Sequence, residues 1–206
     1  SQIAAGEVVE RPASVVKELL ENAIDAGASR VSLRIEEAGK KLIEVNDNGA
    51  GIPTDELPLA ISRHATSKIN TAEDLFHIRT LGFRGEALAS IGSVSRMSVL
   101  SRNAGSQLGA RIIVEGGKTI STELTGSVTG TVVRVSDLFY NTPARLKFLK
   151  RDVTERQQID TLVSRYALAY ADKTIHLVED GKAVLRTSGN GERREVLAQL
   201  YGVELA

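Results

Sequence analysis

The stretch RMSVLSRNAGSQLGARIIVEGGKTISTELTGSVTGTVVRV (96–135) decides the fold. It holds four strand-like runs, at 96–101, 110–114, 118–124 and 131–135, parted by segments rich in Gly, Asn and Ser. No helical pattern separates them. Consecutive strands joined without crossover helices pair mostly antiparallel, whereas parallel neighbours require long crossover connections.

Outward from this run, helices and hairpins alternate. Upstream, 86–94 reads as a helix, and 54–62 as a short one with Thr54 as its cap and Pro58 early enough to be tolerated. Residues 31–47 form a β-hairpin around an Ala38-Gly39 turn. Residues 12–28 form a helix: Pro12 suits its first turn, Val16, Leu19, Leu20, Ala23 and Ile24 share one stripe, and Gly27 supplies the stop. Downstream come helices at 143–150 and 154–171, a hairpin at 175–178 and 183–186 turning on Asp180-Gly181, and a last helix at 192–200. Residues 62–86 read as a long polar, Gly-containing loop around a brief helical pattern, and such loops are usually functional. The class expected is α+β: a two-layer α/β sandwich, with a mostly antiparallel mixed sheet and helices on one face. A doubly wound parallel sheet is excluded.

Composition narrows the function. The 206 residues suffice for a sizeable core. Lys plus Arg and Asp plus Glu both number 26, which argues against a dedicated, strongly basic nucleic-acid-binding domain but leaves room for a local basic patch. With no cysteine, disulfides, thiolate metal sites and Cys nucleophiles are excluded. No apolar run reaches the roughly 20 residues of a membrane helix. No charged-then-apolar leader is present, and the chain opens on Ser1 and reads as a fragment.

Three features carry chemistry. Glu18, Asn22 and Asp25, at i, i+4 and i+7, share the face of the first helix opposite its apolar stripe. A solvated face has this look. Yet Asn and Asp are poor mid-helix residues, and an acid one turn from an amide supplies a general base and an oxygen ligand for Mg²⁺. Next, Asp47-Asn48-Gly49-Ala50-Gly51 ends the hairpin. Asp47 shares parity with Ile43 and Val45, so it points to the apolar face and needs a partner: backbone, or the exocyclic amine of a purine. Gly49 and Gly51 permit a tight turn and the close approach of a flat ligand. Third, Leu81-Gly82-Phe83-Arg84-Gly85-Glu86 runs into a helix, where backbone N–H groups suit phosphates. It is neither a Walker loop nor a dinucleotide fingerprint. His64, His77 and His176 have no metal-ligand spacing and read as structural.

The order and spacing of these features resemble the GHKL ATPase superfamily, of Bergerat fold, and within it the MutL-type DNA mismatch repair ATPases. The segments that carry the resemblance are QIAAGEVVERPASVVKELLENAIDAG (2–27), DNGAGI (47–52), RHATSKI (63–69), LGFRGEALASI (81–91) and DLFYNTPARLKFLK (137–150). The resemblance implies Mg-dependent ATP hydrolysis, with ATP and Mg²⁺ as cofactors. It implies Glu18 as the general base and Asn22 as the Mg²⁺ ligand bridging to phosphate. Asp47 becomes the adenine-reading carboxylate, with Gly49, Gly51 and Thr131 around the base, partly through water, and Asp25 as a brace. Thr66, Ser67 and Lys68 would lie near ribose and phosphates, and Gly82, Phe83, Arg84 and Gly85 would form the phosphate-covering lid.

The same resemblance implies that nucleotide orders the lid and drives self-dimerisation of the full protein, coupling mismatch recognition to repair. Implied partners are a MutS-type mismatch-recognition protein and a downstream nuclease or helicase; the location would be cytoplasmic and nucleoid-associated in bacteria, or nuclear in eukaryotes. Residues 1–191 would be the ATP-binding domain, and 192–206 a helix leading into a second domain whose lysine reaches the γ-phosphate. Without that domain and an N-terminal dimerisation segment, slow turnover and a monomer or weak dimer are expected. DNA contact would be weak and mostly made elsewhere. The basic residues Arg145, Lys147, Lys150, Arg151 and Arg156 suit either a DNA surface or a solvated face. The competing class is a nucleotide-independent DNA-binding or scaffold fragment.

Overall fold

The computed structural model describes residues 9–62 and 86–202. The site residues expected at Thr66, Ser67, Lys68, Gly82, Phe83, Arg84 and Gly85 lie outside the described residues, as does nearly all of the 62–86 loop.

In chain order the strands are β1 (Arg30–Glu36), β2 (Leu42–Asp47), β3 (Arg96–Arg102), β4 (Gly109–Glu115), β5 (Lys118–Thr125), β6 (Gly130–Ser136), β7 (Thr174–Glu179) and β8 (Lys182–Arg186). The helices are α1 (Pro12–Asp25), α2 (Leu57–Ile61), α3 (Ala87–Ser93), α4 (Pro143–Phe148), α5 (Asp152–Ala169) and α6 (Arg193–Tyr201). The strands make one sheet in the order β5-β4-β3-β6-β2-β1-β7-β8. Every pairing is antiparallel except β1 with β7. The mixed, mostly antiparallel two-layer architecture is thus the one expected.

Local chemistry accounts for the element ends. Pro12 sits in the first turn of α1, where its missing N–H is no loss. At the other end Gly27 takes φ +73°, and the Ala28 N–H donates to the Ala23 carbonyl at 3.1 Å while the Gly27 N–H donates to Ile24 at 2.9 Å. This is the paired closure of a Schellman stop. Asp180 and Gly181 both have positive φ, the left-handed twist of a tight hairpin turn. The helix expected over 54–62 is shorter: it spans Leu57–Ile61, and Glu56, not Thr54, stands before it. Pro58 explains the difference, because it fits only in a first turn and so sets where the helix starts.

Strand register aligns the core into rungs. One runs Leu177, Leu33, Val45, Val133, Val99, Ile112 across six strands. All six are buried beneath the helices. The neighbouring rung is Ile175, Val31, Asp47, Thr131, Ser101, Ala110. It is apolar at both ends and polar at its three middle positions. Helix α1 packs over β2, α5 against α1 and β7, and α3 against β3 and β4. Val196 carries α6 into the same core. Among the described residues no helix is long and apolar enough to cross a membrane.

Candidate nucleotide site

The polar rung opens beneath the C-terminal end of α1. The loop after β2 is pinned there, since the Ala50 N–H donates to the Ala26 carbonyl at 2.9 Å. Asn48 clamps the loop from the other side. Its Oδ1 accepts from the backbone N–H of Ser29 and of Arg30, at 3.0 and 2.8 Å, and its Nδ2 donates to Ser29 Oγ at 2.9 Å. Asp47 is therefore held close to the helix that carries Glu18, Asn22 and Asp25. The structure brings Asp47 together with Gly49 and Thr131, and packs the helix that carries Glu18, Asn22 and Asp25 over β2.

Asp47 is half-buried. Its Oδ1 accepts the Gly49 N–H at 2.8 Å, and its carboxylate also accepts the Thr131 backbone N–H. Burial raises its pKa, and the two backbone donors oppose that rise. A carboxylate offers about four lone-pair sites, so acceptor capacity remains for a ligand donor.

The two glycines have a reason within the protein itself. A Cβ on Gly51, at φ +71°, would stand 2.1 Å from the Arg102 carbonyl oxygen, and one on Gly49 would stand 2.8 Å from Ala26. Close approach of backbone to backbone requires both glycines before any ligand is considered.

The Glu18 face of α1 is not the solvated one that its place opposite the stripe suggested. The Glu18 side chain is 23% exposed, and Asn22 and Asp25 are half-buried. Lys17 Nζ lies 3.6 Å from Glu18 Oε1 and 3.0 Å from Glu21 Oε2. Burial works to lower the Lys17 pKa, but the Glu21 hydrogen bond and the charges of Glu18 and Glu21 outweigh it, and the net shift is upward. Glu21 is 6% exposed and accepts a short hydrogen bond from the Tyr166 hydroxyl on α5. Burial and then Glu21 push the Tyr166 pKa upward.

Sequence reasoning missed Ser101 and the Lys17–Glu21–Tyr166 group. Ser101 was findable in principle, because it is polar at the parity of Met97 and Val99, as Asp47 is at that of Ile43 and Val45. Tyr166 had no local signal, being 145 residues from its partner. Of the basic residues, Arg156 is ion-paired to Glu179 and Asp180, and Arg145 donates to the Val9 carbonyl. Lys147, Lys150 and Arg151 are exposed. Among the described residues no group of three or more His, Cys, Asp or Glu could hold a metal ion.

Comparison with known proteins points to one family. The family described as histidine kinase-, DNA gyrase B- and HSP90-like ATPase matches residues 10–128, and the chain belongs to it. The chain is 52% identical over all its 206 residues to the DNA mismatch repair protein MutL of Lactococcus lactis subsp. cremoris, and 55% identical over the same span to that of Shouchella clausii. It spans about a third of the length of these relatives, 31% of each. The solved Aquifex aeolicus MutL ATPase domain complexed with ADP superposes with a TM-score of 0.75 at 35% identity, covering 94% of this chain and 70% of that one. Within the family, the chain is a MutL-type N-terminal ATPase domain.

Proposed function

We propose that this chain binds ATP between α1 and the Asp47 rung, and that it is the module whose ATP cycle drives a DNA mismatch repair protein of the MutL type. The observation that supports this reading best is the pairing of Asp47 and Thr131, acceptor groups on the buried face, beneath the helix that carries Glu18 and Asn22 one turn apart. The Aquifex relative is described as complexed with ADP, which supports adenine-nucleotide binding by this chain.

In this reading Asp47 accepts from the exocyclic amine of adenine, with Gly49, Gly51 and Thr131 around the base. Glu18 orients the attacking water and accepts its proton. A bound Mg²⁺ supplies charge neutralisation on the phosphates. Asn22 fits it as a single amide-oxygen ligand, since Mg²⁺ is usually held by one or two protein groups with phosphate and water completing the shell. Thr66, Ser67, Lys68 and Gly82, Phe83, Arg84, Gly85 serve ribose and phosphates, ordering as a lid that promotes self-dimerisation of the full protein. Partners of that protein are a MutS-type mismatch sensor, a nuclease or helicase and DNA. Its location is cytoplasmic, as suits the bacterial relatives.

Thermal unfolding of the full-length protein with and without ATP and Mg²⁺ tests the core of the proposal. Saturating ligand at a hundred times Kd should stabilise by about 2.7 kcal/mol. Asn22→Ala should keep the shift due to ATP alone and lose the increment added by Mg²⁺. An unchanged melting temperature with nucleotide would leave the scaffold reading instead.

A further inference from the structure

Ser101 is fully buried on β3, the last polar member of the rung, and directly opposite Thr131. Its Oγ has three polar neighbours: the Ile52 N–H at 2.8 Å, the Gly130 carbonyl at 3.1 Å and Thr131 Oγ1 at 2.8 Å. A hydroxyl has one hydrogen to give and two lone pairs to receive with. The Ile52 N–H can only donate, so it takes one lone pair. The Gly130 carbonyl can only accept, so it takes the hydrogen. What remains for Thr131 is the second lone pair, and the Thr131 hydroxyl must therefore donate to Ser101. The opposite assignment would set the Gly130 carbonyl against a Ser101 lone pair at 3.1 Å in a fully buried position, which is unfavourable.

From this accounting we infer that Ser101 is a specificity-determining positioning residue: it fixes the Thr131 hydroxyl with its hydrogen turned away from Asp47 and its lone pairs toward the base site. The rung then presents two neighbouring acceptors, the Asp47 carboxylate and Thr131 Oγ1. An exocyclic amine, with two hydrogens to give, finds partners there, while a carbonyl in its place meets lone pairs. Asp47 alone repels a carbonyl; Ser101 extends the discrimination to a second atom that could otherwise rotate and donate. The inference rests on the proposed adenine pocket at Asp47 and Thr131.

Equilibrium binding of ATP and ITP to the full-length protein tests it, because ITP carries a carbonyl in place of the amine and, with it, a proton on the adjacent ring nitrogen. Ser101→Ala frees the Thr131 hydroxyl, so ITP binding should gain relative to ATP and the ATP-to-ITP preference should shrink about tenfold, the scale of one mispaired buried polar group. Thr131→Val should shrink it similarly, and adding Ser101→Ala to Thr131→Val should shrink it no further. Ser101→Cys, a poor donor and acceptor of similar size, serves if the alanine variant does not fold, with the same expected direction. A purely structural Ser101 would weaken both nucleotides alike; an unchanged ratio in Ser101→Ala or Ser101→Cys, or additive losses in the double variant, would overturn the inference. The underlying pocket is judged separately by Asp47→Asn. If that variant binds ATP as the parent does, the pocket reading itself fails; if it loses ATP while Ser101 variants keep the parental ratio, only the role of Ser101 fails.

Discussion

Asp47 and Glu179 are both carboxyl groups on the helix-covered face of one sheet, in rungs that cross opposite ends of β1. Asp47 lies in the rung with Val31, and Glu179 pairs with Ile35. Burial raises the pKa of both. They differ in what holds them. The partners of Asp47 are backbone N–H groups of Gly49 and Thr131, which are neutral, fixed, and leave lone pairs for a ligand. Glu179 is 5% exposed and faces other side chains: Arg156 Nε at 3.5 Å from its Oε2, and the carboxyls of Asp160 and Asp180. Burial first, then the Asp160 charge, lift its pKa to about 7, against the pull of Arg156. The difference teaches that a displaced pKa does not by itself mark a binding site. Glu179 is enclosed by charged side chains of the protein itself. Asp47 is held by backbone beside a helix that carries an acid and an amide.

The largest expected effect that sharpens this contrast is on turnover. Glu18→Ala in the full-length protein should cut ATP hydrolysis by about 10²- to 10⁴-fold, the usual weight of a general base. Its ATP affinity should stay within about threefold, because a base acts on the water rather than on the bound nucleotide. Phosphate release and calorimetry on one preparation check both halves, and a matching loss of affinity would assign Glu18 to binding instead.

Next in size is the comparison of the two carboxyls themselves. Asp47→Asn adds a donor where the adenine amine also donates, and should weaken ATP binding by about 2 kcal/mol. Glu179→Gln should leave ATP affinity unchanged. Equal losses in the two variants would break the distinction between a ligand-facing and a protein-facing carboxyl.

The third effect is on stability against pH. Glu179 has a pKa of about 7 folded against an ordinary 4.5, so the folded state holds the extra proton. Its stabilising contribution is fully present below the unfolded value and lost as pH rises through about 7. Chemical denaturation should show the parent losing about 2 kcal/mol between pH 5 and pH 8 from this group. Glu179→Gln, a neutral isostere, should flatten that slope. An identical slope in the variant would place the titration elsewhere.

The smallest effect concerns a third buried acid. Tyr166→Phe removes one donor from Glu21 while Lys17 remains, so a destabilisation of about 1 kcal/mol is expected. Thermal unfolding would register it, and a change beyond about 3 kcal/mol would mean that Tyr166 anchors α5 to α1 far more broadly than through this bond.

Much was determined by the amino-acid sequence alone. Pro12 and Gly27 bound α1, the run of strands from Arg96 predicts an antiparallel sheet, and Asp180-Gly181 marks its hairpin, because each depends on backbone freedom within a few residues. Parity likewise assigns Asp47 to the buried face of β2. Spacing sets Glu18, Asn22 and Asp25 on one face of a helix, and the motifs carry the family resemblance. Tertiary structure alone decided the rest. Periodicity tells which face a strand residue takes but not which residue it meets on the next strand, so the alignment of Asp47, Thr131 and Ser101 into one rung is settled only by the pairings β2–β6 and β6–β3. The parallel joining of β1 and β7, the approach of Arg102 that makes Gly51 obligatory, and the reach of Tyr166 to Glu21 belong to the same class. Each arises where segments far apart in sequence come within bonding distance, and there the energy of the contact depends on geometry that no local pattern encodes.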